Sequence, residues 1–325
     1  MKIAFAGPFA MRLAAPVQAR LSLACEVIAE DEASIATRLA GTKVLVSMGF
    51  TKRMAEAGPD LRLVQVPGAG LDRIDRSALP AGTHLANVYG HGAGIAEYIF
   101  GAMIALTRSF GRLDSKLRQG HWESQWAIGE SAPPLWPELA GKTLGILGYG
   151  HIGEALARRA IAFDMLVCAI RRQTQTDKPH GVSFIGGPER LDEVLRRADY
   201  LAITLPLSSK TRNLIDASRL QVMKHTAILL NVARAEIIDE VALYSALKCG
   251  AIGGAVLDVW YRYPHSAATT LPATQPFHEL DNVIMTPHVS GWTQGMFDAR
   301  VKLIADNIER TARGETPLNT ISPSS

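Results

Sequence analysis

Thr143-Leu144-Gly145-Ile146-Leu147-Gly148-Tyr149-Gly150-His151-Ile152-Gly153 is a short apolar run that ends in a G-x-G-x-x-G turn, and a helical pattern continues from Glu154 to Phe163. In a chain with 28 glycines the spacing alone carries little weight. The order strand, glycine turn, helix carries more, because each glycine then has a task. Gly148 permits a tight turn, Gly150 lets a pyrophosphate approach the backbone, and Gly153 lets the helix pack on the strand. The first turn of that helix offers N–H groups and partial positive charge to phosphates. The stretch predicts a dinucleotide-binding βαβ unit, the usual equipment of an oxidoreductase.

The residues beyond the turn bear on which dinucleotide is bound. The next apolar run, Met165 to Ile170, reads as the second strand, and its end faces the adenosine ribose in such a unit. An Asp or Glu there would bond both ribose hydroxyls. This chain has Arg171-Arg172 instead, eighteen residues past Gly153. Two guanidiniums can hold a 2′-phosphate that a carboxylate would repel, so the expectation is NADP(H), with NAD(H) as the weaker alternative.

Outward from this centre, short apolar strands alternate with helical patterns along the chain, which predicts parallel sheets covered by helices. Upstream, strands are expected at Ile3–Ala6, Val44–Ser47, Leu63–Val66 and His84–Asn87, with helices including Ala33–Ala40 and Thr51–Ala57, then one long helix from Ile95 to Leu113. Downstream, strands are expected at Tyr200–Leu205, Ala227–Asn231, Gly254–Val259 and Val283–Thr286, and an amphipathic helix at Gln294–Arg313. At 325 residues two domains are expected: residues 1–98 with 289–325 as a substrate domain, and 99–288 as the nucleotide-binding domain inserted within it. The stretch Gly120–Pro137, with Trp122, Trp126 and Trp136, shows little periodicity, and Ser322-Pro323-Ser324-Ser325 is the one low-complexity segment.

Composition narrows the function classes. Hydrophobic content of 47%, 20% charged residues and a net charge of +3 without basic clusters argue against a nucleic-acid or anionic-membrane partner. Cys25, Cys168 and Cys249 are isolated and lack metal-ligand spacing, so no metal site is expected. Unpaired cysteines and an N-terminus too brief for a secretion signal point to the cytoplasm.

Three polar residues fall where ligands bind in open α/β sheets, beyond the carboxyl ends of strands. Arg234 comes after Ile228-Leu229-Leu230-Asn231, Asp258 closes Ala255-Val256-Leu257, and His288 comes after Val283-Ile284-Met285-Thr286-Pro287. An Arg can clamp a carboxylate bidentately while polarising the adjacent carbonyl, and a His can supply the proton that accompanies a hydride. The pattern suits a 2-keto acid.

Together with Val66-Pro67-Gly68-Ala69-Gly70-Leu71-Asp72, Ile95-Ala96-Glu97, Leu205-Pro206-Leu207, Thr211 and Thr286-Pro287-His288, these segments resemble the D-isomer-specific 2-hydroxyacid dehydrogenase family over nearly the whole chain. The resemblance implies a Rossmann domain inserted in a flavodoxin-like substrate domain, and reduction of a small 2-keto acid such as glyoxylate or hydroxypyruvate to the D-2-hydroxy acid. It implies Arg234 as the substrate-binding arginine, His288 as acid/base, and backbone N–H groups of Ala69 and Gly70 on the substrate carboxylate. It also implies that Asp258 holds the nicotinamide carboxamide, with Leu205, Pro206, Thr211, Val232, Ala233, His288 and Ser290 along the dinucleotide beside the fingerprint residues. Members are usually homodimers, and the Trp-rich arm at 120–137 is the expected contact.

One departure has chemical weight. The family's Glu that bonds the catalytic His stands in a segment which here reads Asp258-Val259-Trp260-Tyr261-Arg262-Tyr263-Pro264, with Tyr263 in its place. A neutral phenol can orient an imidazole but cannot stabilise an imidazolium as a carboxylate does, so keto-acid reduction should fail at a lower pH than in Glu-bearing relatives. Glu236 and Glu279 are the carboxylates that could substitute, and Ala235 replaces a common Gly. Trp292, and with it Trp260 and Tyr261, are candidates to wall the pocket or simply to pack. No second basic cluster favours a phosphorylated substrate. Two other readings stay open: a non-catalytic nucleotide-sensing scaffold, and a dehydrogenase of another hydride donor such as formate or phosphite.

Overall fold

The computed structural model describes residues 1–126, 135–172, 179–264 and 269–321. The low-complexity segment at 322–325 and the middle of the Trp-rich arm lie outside the described residues. Two compact units divide the chain, Met1–Gly90 with Thr293–Ser325, and His91–Trp292. The boundaries fall at 90/91 and 292/293 rather than at 98/99 and 288/289, because the whole helix beginning at Gly92 packs inside the second unit.

In the first unit, β1 (Lys2–Ala6), β2 (Glu26–Glu30), β3 (Val44–Ser47), β4 (Leu63–Gln65) and β5 (His84–Ala86) form one parallel sheet in the order β2-β1-β3-β4-β5. This is the flavodoxin-like order. Helix α1 (Pro8–Gln18) covers one face together with a helix near the C-terminus, where Leu13 and Val17 meet Val301, Ile304 and Ile308 over Ile3 and Phe5. The other face is closed by α2 (Lys52–Ala57) and a short 3₁₀ turn, Ile35–Arg38, with Phe50, Met54, Ile35 and Leu39 buried on Ala4, Leu45 and Val64. That turn replaces the longer helix expected at Ala33–Ala40. Thr51 caps α2, its hydroxyl accepting from the Met54 N–H.

The second unit opens with α3 (Gly92–Thr107) and α4 (Phe110–Arg118). The single helix expected over Ile95–Leu113 is broken at Ser109, which takes a left-handed φ of 53°. β6 (Thr143–Leu147) then leads into α5 (His151–Ala162), whose first residue is His151 rather than Glu154. β7 (Leu166–Ile170), β8 (Val182–Gly186), α6 (Leu191–Arg197), β9 (Tyr200–Ile203), α7 (Ala217–Val222), β10 (Ile228–Asn231), α8 (Glu240–Lys248), β11 (Gly254–Leu257) and β12 (Val283–Met285) come next, before α9 (Gln294–Ala312) returns to the first unit. The seven strands are parallel in the order β12-β11-β10-β9-β6-β7-β8. This is the Rossmann order with one further strand, and the order reverses between β6 and β9. Central strands are buried throughout, as strands covered on both faces must be.

The glycine turn is a consequence of close packing. Gly148 has φ 108°, and a Cβ there would lie 2.9 Å from the backbone of Thr204 and Leu205. At Gly153 a Cβ would meet the Gly148 carbonyl oxygen at 2.8 Å, so helix lies directly on strand. At Gly150 a Cβ would meet nothing within 4 Å, and the space over it is open. No described helix is long and apolar enough to cross a membrane.

These environments separate substitutions at the first two glycines. Gly148→Ala forces both a left-handed alanine and a backbone clash, a cost of about 2 kcal/mol that lowers the melting temperature by roughly 5 °C. Gly150→Ala, at an extended position facing open space, shifts it by less than about 2 °C. Differential scanning calorimetry of the two variants checks the contrast.

Candidate active site

Parallel register places the site. Gly186, Ile170, Leu147, Ile203, Asn231, Leu257 and Met285 pair across neighbouring strands and form one row at the carboxyl ends of all seven. Gly148, Arg171, Leu205, Val232, Ala233, Arg234, Asp258 and His288 each stand one to three residues beyond that row. The residues singled out in sequence within this unit therefore share one edge of the sheet.

Arg234 is half-buried in extended backbone, with Nη1 donating to its neighbour's Ala233 carbonyl oxygen at 2.7 Å. Asn231 shapes the loop before it. Its Oδ1 accepts from the Ala233 N–H at 3.0 Å, and its Nδ2 donates to the Arg234 carbonyl oxygen at 2.9 Å. Sequence reading passed over this clamp, although an Asn at a strand end is a known turn former.

His288 has φ 57°, a left-handed conformation that costs a non-glycine residue roughly 1 kcal/mol or more. Bonds to one buried carboxylate on both sides of it hold the strain. Asp258, 0% exposed, accepts from the Thr286 hydroxyl at 2.6 Å and from the Val289 and Ser290 N–H groups at 2.8 Å each. The Thr286 carbonyl oxygen accepts from the His288 N–H at 3.0 Å and from Trp260 Nε1 at 2.8 Å. The Asp258 carboxylate is thus built into the His288 loop, a role the sequence did not reveal.

Tyr263 Oη lies 2.7 Å from His288 Nδ1, the contact expected of the family's carboxylate. Burial is the main cause that raises the Tyr263 phenol above its ordinary value; the Trp260 N–H and Arg234 pull it down, and Asp258 and Glu236 add to the rise. The phenol is neutral at physiological pH. Arg234 lies within electrostatic range of the phenol that meets His288. Glu236 belongs to the phenol's electrostatic surroundings.

The aromatic candidates separate. Trp260 is buried against Phe277, and Tyr261 donates to the Ile238 carbonyl oxygen at 3.0 Å, so both are packing residues. Trp292 is 46% exposed and remains the candidate for the pocket wall. Thr211 braces its own loop, its hydroxyl donating to the Pro206 carbonyl oxygen and accepting from the Ser208 N–H, each at 2.8 Å. Arg171 sits at the end of β7 and acts electrostatically on buried Tyr149 of the glycine turn, beside exposed Arg172. Open space over Gly150, the start of α5 and a cationic strand end are features that fit a dinucleotide phosphate.

In the first unit, Ala69 ends a bend after β4 and Gly70 directly follows it. Asn87 holds that bend, Nδ2 donating to the Ala69 carbonyl oxygen at 3.1 Å, while the Val88 N–H donates to the Gly68 carbonyl oxygen at 3.1 Å.

Residues 100–290 match the family model described as D-isomer specific 2-hydroxyacid dehydrogenase, NAD binding domain. A glyoxylate reductase of Pyrococcus furiosus is 35% identical over 84% of this chain and 79% of its own length. The chain belongs to the D-isomer specific 2-hydroxyacid dehydrogenase family. A glycerate dehydrogenase of Methylorubrum extorquens is 33% identical over 81% of the chain and 79% of its own length. Among solved structures, an NADPH-dependent glyoxylate/hydroxypyruvate reductase of Sinorhizobium meliloti, in complex with NADP and malonate, superposes with a TM-score of 0.82 at 26% identity, covering 99% of this chain and 97% of that one. An acyclic imino acid reductase in complex with NADPH and D-Arg gives a TM-score of 0.82 at 25% identity, covering 99% and 100%. The dehydrogenase is an NAD(P)-dependent oxidoreductase that acts on keto and hydroxy acids and uses a nicotinamide cofactor.

Proposed function

We propose that this dehydrogenase reduces a small 2-keto acid of the glyoxylate or hydroxypyruvate class to the D-2-hydroxy acid, with NADPH as the preferred cofactor. The observation that carries the reading is the Tyr263–His288 contact beside Arg234 at the end of the sheet. The bound nicotinamide would supply the hydride. Arg234 binds the substrate carboxylate and draws electron density from the carbonyl, and His288 delivers a proton from Nε2 to the carbonyl oxygen while Tyr263 holds Nδ1. Asp258 Oδ1 already accepts two bonds and Oδ2 one, which leaves a lone pair on Oδ2 for the nicotinamide carboxamide. The N–H groups of Ala69 and Gly70 serve the substrate carboxylate. Family membership leaves the scaffold reading and the formate or phosphite reading without an observation that favours them. Three free cysteines suit a reducing cytoplasm.

The protein is further proposed to be a homodimer joined through its nucleotide-binding unit. Phe110, Leu117, Trp122 and Trp126 are 54%, 51%, 57% and 80% exposed there, an apolar surface of the kind that a second copy covers. Sedimentation equilibrium should then give twice the 35.1 kDa of the chain, and a monomer at micromolar concentration removes this element.

Cofactor choice rests on Arg171 and Arg172. Each charge-assisted contact to a 2′-phosphate contributes about 1.5–3 kcal/mol, so replacing both with Ala should cut kcat/KM for NADPH at least about 100-fold. NADH turnover, measured side by side on glyoxylate and hydroxypyruvate, should change little. Equal losses with both cofactors would refute the assignment.

The pH profile tests Tyr263. Reduction needs protonated His288, so activity is present below the pKa of that imidazole and is lost as pH rises through it. A carboxylate in place of the phenol favours the imidazolium and moves the alkaline limb of kcat/KM up by about 1–2 units. Tyr263→Glu should therefore stay active at a pH where the natural protein has lost activity; superimposable profiles would remove Tyr263 from the mechanism.

A further inference from the structure

Tyr98 stands on α3, two turns in from the start of the second unit and next to Glu97, whose partner is Arg159. Its Oη lies 2.5 Å from Thr286 Oγ1, a residue 188 positions away. The direction of this bond is dictated by valence. Thr286 has one hydroxyl proton, and it is given to the Asp258 carboxylate, which as an anion can only accept. The Thr286 oxygen is therefore left as acceptor and Tyr98 must be the donor. Burial, with a contribution from Asp258, pushes the Tyr98 phenol up to about 12, so the proton stays in place throughout the working pH range.

The result is a one-way chain, Tyr98 to Thr286 to Asp258, and it ends on the carboxylate that grips the backbone immediately after His288. Without Tyr98, the Thr286 hydroxyl would be free to turn its proton elsewhere. With it, the lone pairs and rotor of Thr286 are committed, and the loop from Thr286 to Ser290 is fixed at both ends around a left-handed residue. Chains of this kind strengthen each member, and a strained conformation persists only where several bonds over-determine it.

We propose that Tyr98 and Thr286 are positioning residues for the proton donor, acting on His288 through the Asp258 carboxylate. The proposal rests on the reading of His288 as that donor. It assigns work to a helix that the glycine fingerprint and the strand-end residues leave out.

The test is a set of double-mutant cycles read as kcat for keto-acid reduction with NADPH, with cofactor affinity followed by quenching of tryptophan fluorescence and folding by calorimetry. Tyr98→Phe should lower kcat about tenfold, the scale of loss expected when a reacting group is displaced by a fraction of an ångström, while NADPH affinity stays within about twofold. Thr286→Ser should keep most of the rate, because the hydroxyl remains, and Thr286→Val should lose as much as Tyr98→Phe or more. In the Thr286→Val background, Tyr98→Phe should cost nothing further, and likewise in the His288→Gln background. A Tyr98 that served only packing would instead add its full effect in both backgrounds, and that result overturns the proposal. Wild-type kcat for Tyr98→Phe overturns it as well. The two failures are separable: if His288→Gln turns over like the natural protein, the reading of His288 falls, whereas a His288→Gln slowed to a small but measurable residual rate beside a fully active Tyr98→Phe leaves that reading standing and removes only the positioning chain. Should Thr286→Val fail to fold, the His288→Gln cycle decides the question alone.

Discussion

Seven parallel strands of the nucleotide-binding unit end on one row because their backbone hydrogen bonds keep one register from Ile170 to Met285, and β8 joins it after a shift opposite Val167 and Cys168 that pairs Gly186 with Ile170. A slip of one residue anywhere in it would turn every subsequent side chain to the opposite face and shift the strand end by about 3.3 Å. The residues that prevent the slip have no polar chemistry: Leu201, Leu229, Leu230 and Val256, all 0% exposed, fit only one pleat. Arg234, Asp258 and His288 inherit their common edge from that apolar interior. The chemistry is thus a boundary condition of the packing, set by side chains that never meet the substrate.

Placing a histidine beyond a strand end is easy; holding it at φ 57° is costly, and here one buried anion offsets the cost. The Asp258 carboxylate carries three hydrogen bonds and so escapes the penalty of an unpaired buried charge, while it converts the flanks of His288 into a rigid cradle. Burial, the loop and the imidazole therefore stand or fall together. Trp260 closes the arrangement by donating to the Thr286 carbonyl oxygen, which explains why an aromatic so near the site is packed rather than presented to a ligand.

The nucleotide unit was legible in sequence because strands covered on both faces read as unbroken apolar runs, and because Gly148 and Gly153 mark points where only a hydrogen fits. The catalytic candidates were legible for a related reason: a polar residue directly after an apolar run stands at a strand end. The features that stayed hidden lacked a local mark. Edge strands β2 and β8 mix exposed and buried positions and so look like loops. The break falls at a serine driven into left-handed backbone, while the nearby Gly111 lies inside α4 and does not mark it. The bond from Tyr98 to Thr286 joins residues that no pattern of nearby spacing connects.

Exchanging a carboxylate for Tyr263 changes more than basicity. A carboxylate accepts only, and so enforces the tautomer of neutral imidazole that keeps its proton on Nδ1 and leaves Nε2 free to act as a base. A phenol also donates. Its oxygen here takes a long 3.4 Å contact from the Trp260 N–H and lies 2.7 Å from His288 Nδ1, where it can accept from a protonated Nδ1 or donate to a bare one. Donation to Nδ1 favours the opposite tautomer, with the proton on Nε2, and that tautomer cannot take a proton from an alcohol. Once protonated, His288 donates through Nδ1 to the same oxygen and loses little. On the mechanism proposed, the tyrosine can partner Nδ1 in either protonation state of His288, while it gives up the carboxylate's stabilisation of the imidazolium.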